Sequence, residues 1–283
     1  MPEMPEVIAH SERLNNSIAG QGLVEFQLLN FASLKTFEHD SSELGLVVSV
    51  FSRGKYIVFE FENSMFLVIH LMQAGRLKSE NISKISSKPK FGLARFIFTC
   101  DDGKQSWILT EAGKERKAGI WIIRGDIESQ LPISKLGPDI DKLTVEEFTK
   151  ILESQSKRIH GVLRAQQTFA GVGRLLANEI CHAAKISPFA NTSKLDENEI
   201  AALHKAINNI SASALEHERT LSDIGKSADR PSKVHNRKEE NCLSCKEGII
   251  RTIEYNAYTV FYCPNCQTNG KILADNTTSK FLK

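Results

Sequence analysis

The stretch that decides the fold of the C-terminal part of this chain is CLSCKEGIIRTIEYNAYTVFYCPNC, from Cys242 to Cys266. Its cysteines follow the pattern C-x2-C-x17-C-x2-C, in which two tight knuckles each supply two thiolates to a tetrahedral Zn²⁺. The residues between the pairs alternate as in a β-hairpin with its turn near Asn256 and Ala257. We predict one structural zinc ion and no catalytic metal, because four thiolates leave no open coordination position. The predicted zinc ligands are Cys242, Cys245, Cys263 and Cys266.

The remaining cysteines, Cys100 and Cys181, stand alone in apolar surroundings, as small buried hydrophobic residues do. Clustering of the other four in Cys-x-x-Cys pairs favours a metal site over disulfides. The chain has 283 residues and is 41% hydrophobic, enough for one large core or two ordinary ones. It contains no run of roughly 20 apolar residues, and its first ten residues lack a signal-peptide pattern. We therefore expect a cytoplasmic protein.

The charge of the chain is almost balanced, with 36 Lys and Arg, 34 Asp and Glu, and a net charge of +2. The excess of basic residues lies in residues 151–283, whereas residues 1–150 carry a slight excess of acidic ones. A basic second half fits a phosphate-binding surface, although ordinary solvated faces often show a similar excess. Charge alone therefore does not decide whether the chain binds nucleic acid.

The hydrophobic pattern changes along the chain. Residues 6–18 have helical spacing, and runs rich in Val, Ile and Phe then predict an antiparallel sheet or sandwich. From about residue 131 a linker with Pro and Gly leads to a helix that Thr144 caps through Glu147, and helical segments continue to about residue 217. Residues 79–90 are predicted to form an exposed loop. The predicted strands are Leu44–Phe51, Tyr56–Phe61, Met65–Leu71, Leu93–Thr99 and Ile120–Ile123.

Several short motifs occur in order along the chain. Each alone has an ordinary explanation, such as a helix-opening turn, a hairpin turn or a helix connection. Together, and at this spacing, they resemble the formamidopyrimidine-DNA glycosylase and endonuclease VIII family. The motifs are Pro2-Glu3-Met4-Pro5-Glu6-Val7, Arg53-Gly54-Lys55-Tyr56, Leu136-Gly137-Pro138, Phe169-Ala170-Gly171-Val172-Gly173 and the cysteine hairpin.

The resemblance implies an α+β fold with DNA bound to it. The expected parts are a β-sandwich domain with an N-terminal helix over residues 1–130, a helix-two-turn-helix domain over 131–234, a four-cysteine zinc-finger hairpin over 235–270 and a polar tail over 271–283. The expected partner is damaged or abasic DNA, double- or single-stranded. We expect a monomer that does not bind membranes and that is nucleoid-associated while on DNA.

The family chemistry explains the N-terminal motif. Removal of Met1 would leave Pro2 with a free amine, whose pKa of about 7.7–8 makes it more often unprotonated at neutral pH than a lysine with a pKa of about 10.4. Such an amine can attack the sugar carbon of a damaged nucleotide and form a Schiff base, the reaction of a bifunctional DNA glycosylase and AP lyase in base excision repair. The resemblance makes Pro2, Glu3 and Lys55 the catalytic residues, with Glu3 moving protons and Lys55 contacting a phosphate. It assigns phosphate contacts also to the backbone around Gly171 and Gly173.

The sequence departs from the family at several DNA-contacting positions. Arg174 follows the glycine loop where the family has Asn, and it retains the ability to bind phosphate. Tyr258 stands where the zinc hairpin usually carries an Arg; it either contacts DNA without a charge or packs on the neighbouring Tyr255. Gln73 and Ala118, the latter after the basic Arg116, occupy the places of side chains that fill the gap left by a flipped base. Ala118 is too small to do so, which favours lesions that are already unstacked.

Three functions remain open from the sequence. The first is a bifunctional glycosylase and lyase that uses Pro2 and Glu3. The second is a catalytically weak or inactive relative that binds damaged or distorted DNA, which a retained Met1 would favour because it blocks the amine. The third is a zinc-ribbon regulator, which a preference for a specific duplex sequence over any lesion would indicate.

Overall fold

A computed structural model of the protein describes residues 1–38, 41–87, 89–113, 116–225, 229–255 and 258–274. The chain divides into two compact units. Unit 1 comprises Met1–Leu136 and His217–Ser227, and unit 2 comprises Gly137–Glu216 and Ala228–Lys283. The predicted hairpin turn at Asn256 and Ala257, and residues 275–283 of the predicted tail, lie outside the described residues.

Unit 1 is a β-sandwich with one helix packed on it. Helix α1 (Met4–Ile18) packs against the second and third strands, and Phe59 and Phe98 stack between the sheets with ring centroids 6.2 Å apart. All strand pairs are antiparallel, in the orders β1-β6-β7-β5 and β2-β3-β4-β8. The strands are β1 (Leu23–Leu28), β2 (Val47–Arg53), β3 (Tyr56–Phe61), β4 (Met65–His70), β5 (Gly75–Glu80), β6 (Gly92–Cys100), β7 (Gly103–Glu111) and β8 (Gly119–Arg124).

The predicted strands are present, but the sheets contain more. The prediction for β3 is confirmed to the residue, whereas β2 starts at Val47 and not at Leu44. Strands β1, β5 and β7 are additional, and β5 extends to Glu80, inside the predicted loop. These three strands alternate weakly because many of their residues are polar or half-buried, so their pairing depends on neighbouring strands more than on their own pattern.

A late segment of the chain completes unit 1. The side chain of Ile224 is buried in the same core as the two sheets. Arg13 on α1 donates from Nη1 to the backbone oxygens of Glu218, at 2.9 Å, and Leu221, at 3.2 Å. Arg219 forms an ion pair with Glu12 at 2.6 Å. The helix and the late segment are thus joined by hydrogen bonds, charge and apolar packing.

Unit 2 contains short helices followed by the cysteine hairpin. The predicted cap is confirmed: the Glu147 amide donates to Thr144 Oγ1 at 3.2 Å, and the Thr144 amide donates to Glu147 Oε2 at 2.9 Å. The hairpin strands also pair as predicted. The helices and strands are α2 (Val145–Glu153), α3 (Ile159–Arg164), α4 (Arg174–Ala183), α5 (Glu197–Arg219, whose last turn belongs to unit 1), β9 (Arg251–Tyr255), β10 (Tyr258–Tyr262) and α6 (Pro264–Gln267).

The described ranges contain no helix with both the length and the apolar composition that a membrane crossing needs. The α+β class, the N-terminal β-sandwich and the C-terminal four-cysteine hairpin agree with the prediction.

Helix α4 holds the segment that precedes the cysteines. Its Glu179 is buried, and its carboxylate accepts three consecutive backbone N–H groups, from Lys233 at 2.8 Å and from Val234 and His235 at 2.9 Å each. The neighbouring Asn178 donates to His235 Nδ1 at 2.7 Å. Buried backbone donors need such acceptors, because an unsatisfied one loses its hydrogen bond to water without replacement.

We expect Glu179→Ala to lower the free energy of unfolding by about 3 kcal/mol, since it leaves three backbone N–H groups, one of them fully buried, without their acceptor. Urea unfolding followed by circular dichroism measures this change. Glu153→Ala on α2 removes an exposed carboxylate and serves as the control, with an effect within about 0.5 kcal/mol. Equal unfolding midpoints for the two variants would contradict the anchoring role of Glu179.

Candidate functional site

The N-terminal residues lead into helix α1. Pro2 and Glu3 are buried, whereas Met1 is exposed. Glu3 is the N-cap of α1: its carboxylate accepts the Glu6 amide, and its own amide donates to Glu6 Oε2 at 2.8 Å. This capping box fixes Glu3 next to Pro2, so a carboxylate is held beside the residue that would become the N-terminal amine.

Helix α1 runs antiparallel to β2. The Gly20 amide donates to the Val47 oxygen at 2.8 Å, and the Val50 amide donates to Asn15 Oδ1 at 2.8 Å. Moving towards the N-terminus of the helix therefore means moving towards the end of β2. The start of α1 lies at the same end of the sheet as the β2–β3 turn, which carries Lys55.

Lys55 is a turn residue, yet its side chain is only 5% exposed. The pKa of His70, at the end of β4, is lowered to about 4, first by burial and then by the positive charge of Lys55. His70 is therefore neutral at pH 7, and its Nδ1 accepts the Met72 amide at 3.2 Å. The sequence prediction missed His70, because a single histidine at the end of an apolar strand has no distinctive pattern. A neutral His70 allows the Lys55 ammonium to sit beside it without repulsion.

The two loops predicted to fill the gap of a flipped base differ in exposure. Gln73 is exposed on the β4–β5 connection. Ala118 is completely buried in the core, and its amide donates to Glu111 Oε2 at 2.7 Å. Arg116 is exposed, with its guanidinium carbon 5.7 Å from the centre of the Phe91 ring. Ala118 is thus a core residue and supplies no wedge.

A shallow concavity of about 340 Å³ lies between these loops. It brings Gln73 together with the residues that flank the second loop. Its lining comprises Met72, Gln73, Ala74, Glu111, Ala112, Gly113 and Lys117.

In unit 2 the glycine motif forms a tight loop that ends at α4. Gly171 has φ of +100°, a conformation that residues with a Cβ rarely adopt. Its amide donates to Gln166 Oε1 at 3.1 Å, and Gln166 Nε2 donates to the Val172 oxygen at 2.8 Å. Gly173 is the N-cap of α4. Gln166 shapes the loop, and the sequence prediction did not identify it.

The motif Leu136-Gly137-Pro138 is hydrogen-bonded to this loop. The Gly137 amide donates to the Gln166 oxygen at 2.8 Å, and the Ala170 amide donates to the Pro138 oxygen at 2.9 Å. Two motifs that lie about thirty positions apart in the sequence therefore form one structure. Their association explains why both belong to the same sequence pattern.

Arg174 is the first residue of α4, and its side chain is exposed. The first turn of a helix carries the positive end of the helix dipole, which favours an anion. A guanidinium at this place adds a full positive charge and paired donors. The end of the glycine loop is chemically suited to a phosphate group.

The four cysteines form one cluster in which all sulfur atoms lie within 4.8 Å of one another. Cys242 Sγ is 3.8 Å from Cys266 Sγ, and Cys245 Sγ is 3.7 Å from Cys263 Sγ. A tetrahedral ion with metal–sulfur bonds of ~2.3 Å requires sulfur atoms ~3.8 Å apart. The cluster thus fits a tetrahedral metal ion, and it leaves no thiolate for chemistry.

Two residues near the cluster were not identified from the sequence. His182 Nε2 lies 3.3 Å from Cys242 Sγ, so α4 contacts the metal site directly. A Cβ at Gly248 would meet Cys263 Sγ at 2.6 Å and Cys245 Sγ at 3.2 Å, so only glycine fits there. The Gly248 amide also donates to Cys245 Sγ at 3.3 Å, as an N–H group near a thiolate does.

Tyr258, at the start of β10, packs against helix α3. Its ring centroid is 3.8 Å from the guanidinium carbon of Arg164 and 5.9 Å from the ring centroid of His160. The alternative contact with Tyr255 concerns a side chain outside the described part of the chain. This contact between Arg164 and Tyr258 could not be predicted from the sequence, because the two residues are far apart in the chain.

The predicted site residues fall into two groups. Unit 1 carries Pro2, Glu3, Lys55, Gln73 and Arg116. Unit 2 carries Gly171, Gly173, Arg174, Tyr258 and the four cysteines.

Comparisons with known proteins agree with this arrangement. Residues 1–111 match the formamidopyrimidine-DNA glycosylase N-terminal domain, and residues 136–225 match the formamidopyrimidine-DNA glycosylase H2TH domain. A formamidopyrimidine-DNA glycosylase of Desulforamulus reducens is 30% identical over 282 residues, which cover 94% of this chain and 99% of that protein. One of Rickettsia conorii is 26% identical over 280 residues, with 94% and 99% covered.

A solved structure of the Lactococcus lactis Fpg, in complex with DNA that contains an abasic site, has the same fold. It superposes with a TM-score of 0.80 at 25% identity, covering 94% of this chain and 99% of that one. Both domain matches and a 30% identical relative aligned over nearly its full length lead to one conclusion. The chain belongs to the formamidopyrimidine-DNA glycosylase family.

Proposed function

We propose that this protein is a bifunctional DNA glycosylase and AP lyase of base excision repair, acting through a Schiff base on Pro2. The observation that carries the proposal is the position of Pro2 and Glu3. They directly precede α1, at the end of unit 1 that also holds the buried Lys55. The family relationship supports the same activity, because the relatives bear the name of DNA glycosylases.

In the proposed reaction, removal of Met1 exposes the Pro2 amine. Its nitrogen lone pair attacks C1′ of the damaged nucleotide, the bond from C1′ to the base breaks, and the base leaves with that electron pair and takes up a proton. The nitrogen then gives up its proton, its lone pair forms the iminium with C1′ as the C1′–O4′ bond breaks, and O4′ takes up a proton. The iminium acidifies the C2′ proton. Loss of that proton expels the 3′ phosphate, and water then hydrolyses the iminium and releases Pro2. Glu3, fixed beside Pro2 by its capping box, moves the protons.

Lys55 and unit 2 bind the DNA backbone in this proposal. The Lys55 ammonium pairs with a phosphate near the lesion, and neutral His70 leaves that charge undiminished. Arg174, at the start of α4, binds a second phosphate. Because Ala118 is buried in the core, the protein lacks one wedge for base flipping. We therefore propose a preference for abasic sites and single strands over an oxidised base in intact duplex.

A second candidate is a damage-binding protein without turnover. The observation that favours it is the same loss of the wedge at Ala118, together with the ring of Tyr258 lying against Arg164. The two candidates share fold, metal site and DNA contacts, and they differ in whether Pro2 reacts.

We propose that the cysteine cluster holds one Zn²⁺, whose role is to fix the hairpin. Metal analysis of protein purified without chelator should find about one zinc per chain. Cys263→Ser should lower the zinc content and abolish DNA binding, because the hairpin would lose its shape. Cys100→Ser makes the same chemical change in unit 1 and should alter neither. Full DNA binding by zinc-free protein would rule out this role.

Arg174→Ala should weaken binding to damaged and undamaged duplex alike, by about tenfold, and reduce the salt slope of binding by about one. Fluorescence anisotropy measured at salt concentrations between about 50 and 200 mM resolves such a slope. Lys205→Ala removes an equal charge from exposed α5 and is the control. A change in lesion preference alone would instead make Arg174 a base-reading residue.

Protein with a free Pro2 terminus should form a covalent adduct with abasic-site DNA in the presence of borohydride. One additional uncleaved residue before Pro2 should abolish the adduct and leave binding intact. Glu3→Gln keeps an acceptor for the helix cap but cannot move protons, so adduct formation should fall by at least about 100-fold.

The same assay tests the substrate preference. Adducts should form readily on preformed abasic sites and single strands, and much more weakly on an oxidised base in duplex DNA. Binding of abasic DNA by a free Pro2 terminus, without adduct or cleavage, would refute the enzyme and leave the damage-binding candidate.

A further inference from the structure

Tyr258 of the cysteine hairpin is in contact with Arg164 of helix α3. Tyr258 carries no charge, but the guanidinium carbon of Arg164 lies only 3.8 Å from its ring centroid. Such a distance indicates stacking of a planar cation on the face of an aromatic ring. Tyr258 on strand β10 therefore holds in place the positive charge of Arg164, which belongs to helix α3.

His160 forms the second layer of this stack. It is 2% exposed, and its ring lies 28° from the plane of the Tyr258 ring. The pKa of His160 is lowered to about 3, mainly by burial and then by the positive charge of Arg164. His160 is thus a neutral platform that supports Tyr258 without competing for an anion. Arg164 itself is half-buried and lies at the end of α3.

The surroundings of the stack are rich in groups that bind phosphate. Arg164 directly precedes the segment 165–173, which Gln166 shapes and which ends at α4. A concavity of about 350 Å³ has Tyr258 as one of its lining residues, together with the basic residues Lys157 and Arg158. Arg158 is itself stacked, with its guanidinium carbon 4.3 Å from the Phe189 ring centroid.

Stacking affects how well an arginine binds an anion. A guanidinium that lies flat on a ring loses little further side-chain freedom on binding, and its N–H edge still points away from the ring. An oxygen-rich anion such as a phosphate accepts from that edge in a bidentate geometry. Both Arg158 and Arg164 are stacked in this way, Arg158 on Phe189 and Arg164 on Tyr258, and both Arg158 and Tyr258 line the concavity.

We propose that Arg164 binds a backbone phosphate of the DNA, and that Tyr258 is the positioning residue that holds its guanidinium in place. The proposal rests on the proposed function, since it assumes that unit 2 binds DNA. It adds a phosphate contact supplied by α3 and oriented by the zinc hairpin. The concavity beside Tyr258, with Lys157 and Arg158, extends this contact along the same strand.

The test is a double-mutant cycle on abasic-site duplex, measured by fluorescence anisotropy over a range of salt concentrations. Arg164→Ala should weaken binding about tenfold and lower the salt slope by about one. Tyr258→Ala should give a large part of the same loss, and the double variant should be no worse than Arg164→Ala, because both changes remove one contact. Tyr258→Phe keeps the ring face and should restore the affinity that Tyr258→Ala loses.

A charge exchange provides an independent arm. Arg164→Met combined with Tyr258→Arg returns one positive charge to the same place, and it should recover most of the salt slope lost by Arg164→Met alone. Zinc content and melting temperature check that each variant is folded. If Tyr258→Ala is not folded, the Arg164 variants and the charge exchange still test whether Arg164 binds the phosphate.

The outcomes separate this proposal from the proposed function. Wild-type protein that does not bind DNA would refute both. Wild-type binding with Arg164→Ala indistinguishable from Lys205→Ala would overturn the role of Arg164 and leave the proposed function intact. Strictly additive losses for Arg164→Ala and Tyr258→Ala would show that the two residues act separately, which also contradicts the proposal.

Discussion

Unit 2 depends on the buried polar face of α4. Glu179 accepts three backbone N–H groups from the segment before the cysteines, Asn178 bonds to His235 and to the Phe261 amide, and His182 reaches Cys242. Each of these groups would be expensive to leave unsatisfied away from water, so they fix the hairpin relative to the helix. The other end of the same helix starts at the glycine loop and Arg174. One short helix therefore joins the metal site to the predicted phosphate site. A substitution that disrupts either site is expected to alter the other as well.

The part of the fold that could be predicted from the sequence is the part specified by neighbouring residues. The Thr144 cap, strand β3 and the cysteine hairpin follow from spacing alone, and the structure contains all of them. Contacts between distant residues could not be predicted. The burial of Ala118, the neutral His70 beside Lys55 and the stacking of Arg164 on Tyr258 all arise from tertiary packing, which leaves no periodic signal in the sequence. The resemblance suggested which residues react in the proposed function, and the structure shows the contacts that hold them.

The supports in unit 1 are ordinary structural devices. A helix cap holds Glu3, and a two-residue hairpin turn holds Lys55. The capping box fixes the Glu3 side chain with backbone hydrogen bonds, and the hairpin turn fixes the backbone of Lys55, whose side chain is buried. In the proposed reaction such rigidity is useful, because a reacting amine, a proton carrier and a phosphate-binding cation must be aligned before the DNA arrives. The departures from the family lie elsewhere: Arg174 and Gln73 are exposed, whereas Ala118 is buried in the core.

The late segment of unit 1 has a consequence for biosynthesis. Arg13, Glu12 and the sandwich core find their partners in residues 217–224, which the ribosome makes only after residues 137–216. At about 5–20 residues per second, this interval lasts roughly 4–16 s. During that time the sandwich lacks Ile224, and the Arg13 guanidinium lacks its acceptors. A nascent chain that has finished its first 136 residues is therefore an incomplete domain, and unit 2 has most of its helices before unit 1 is closed.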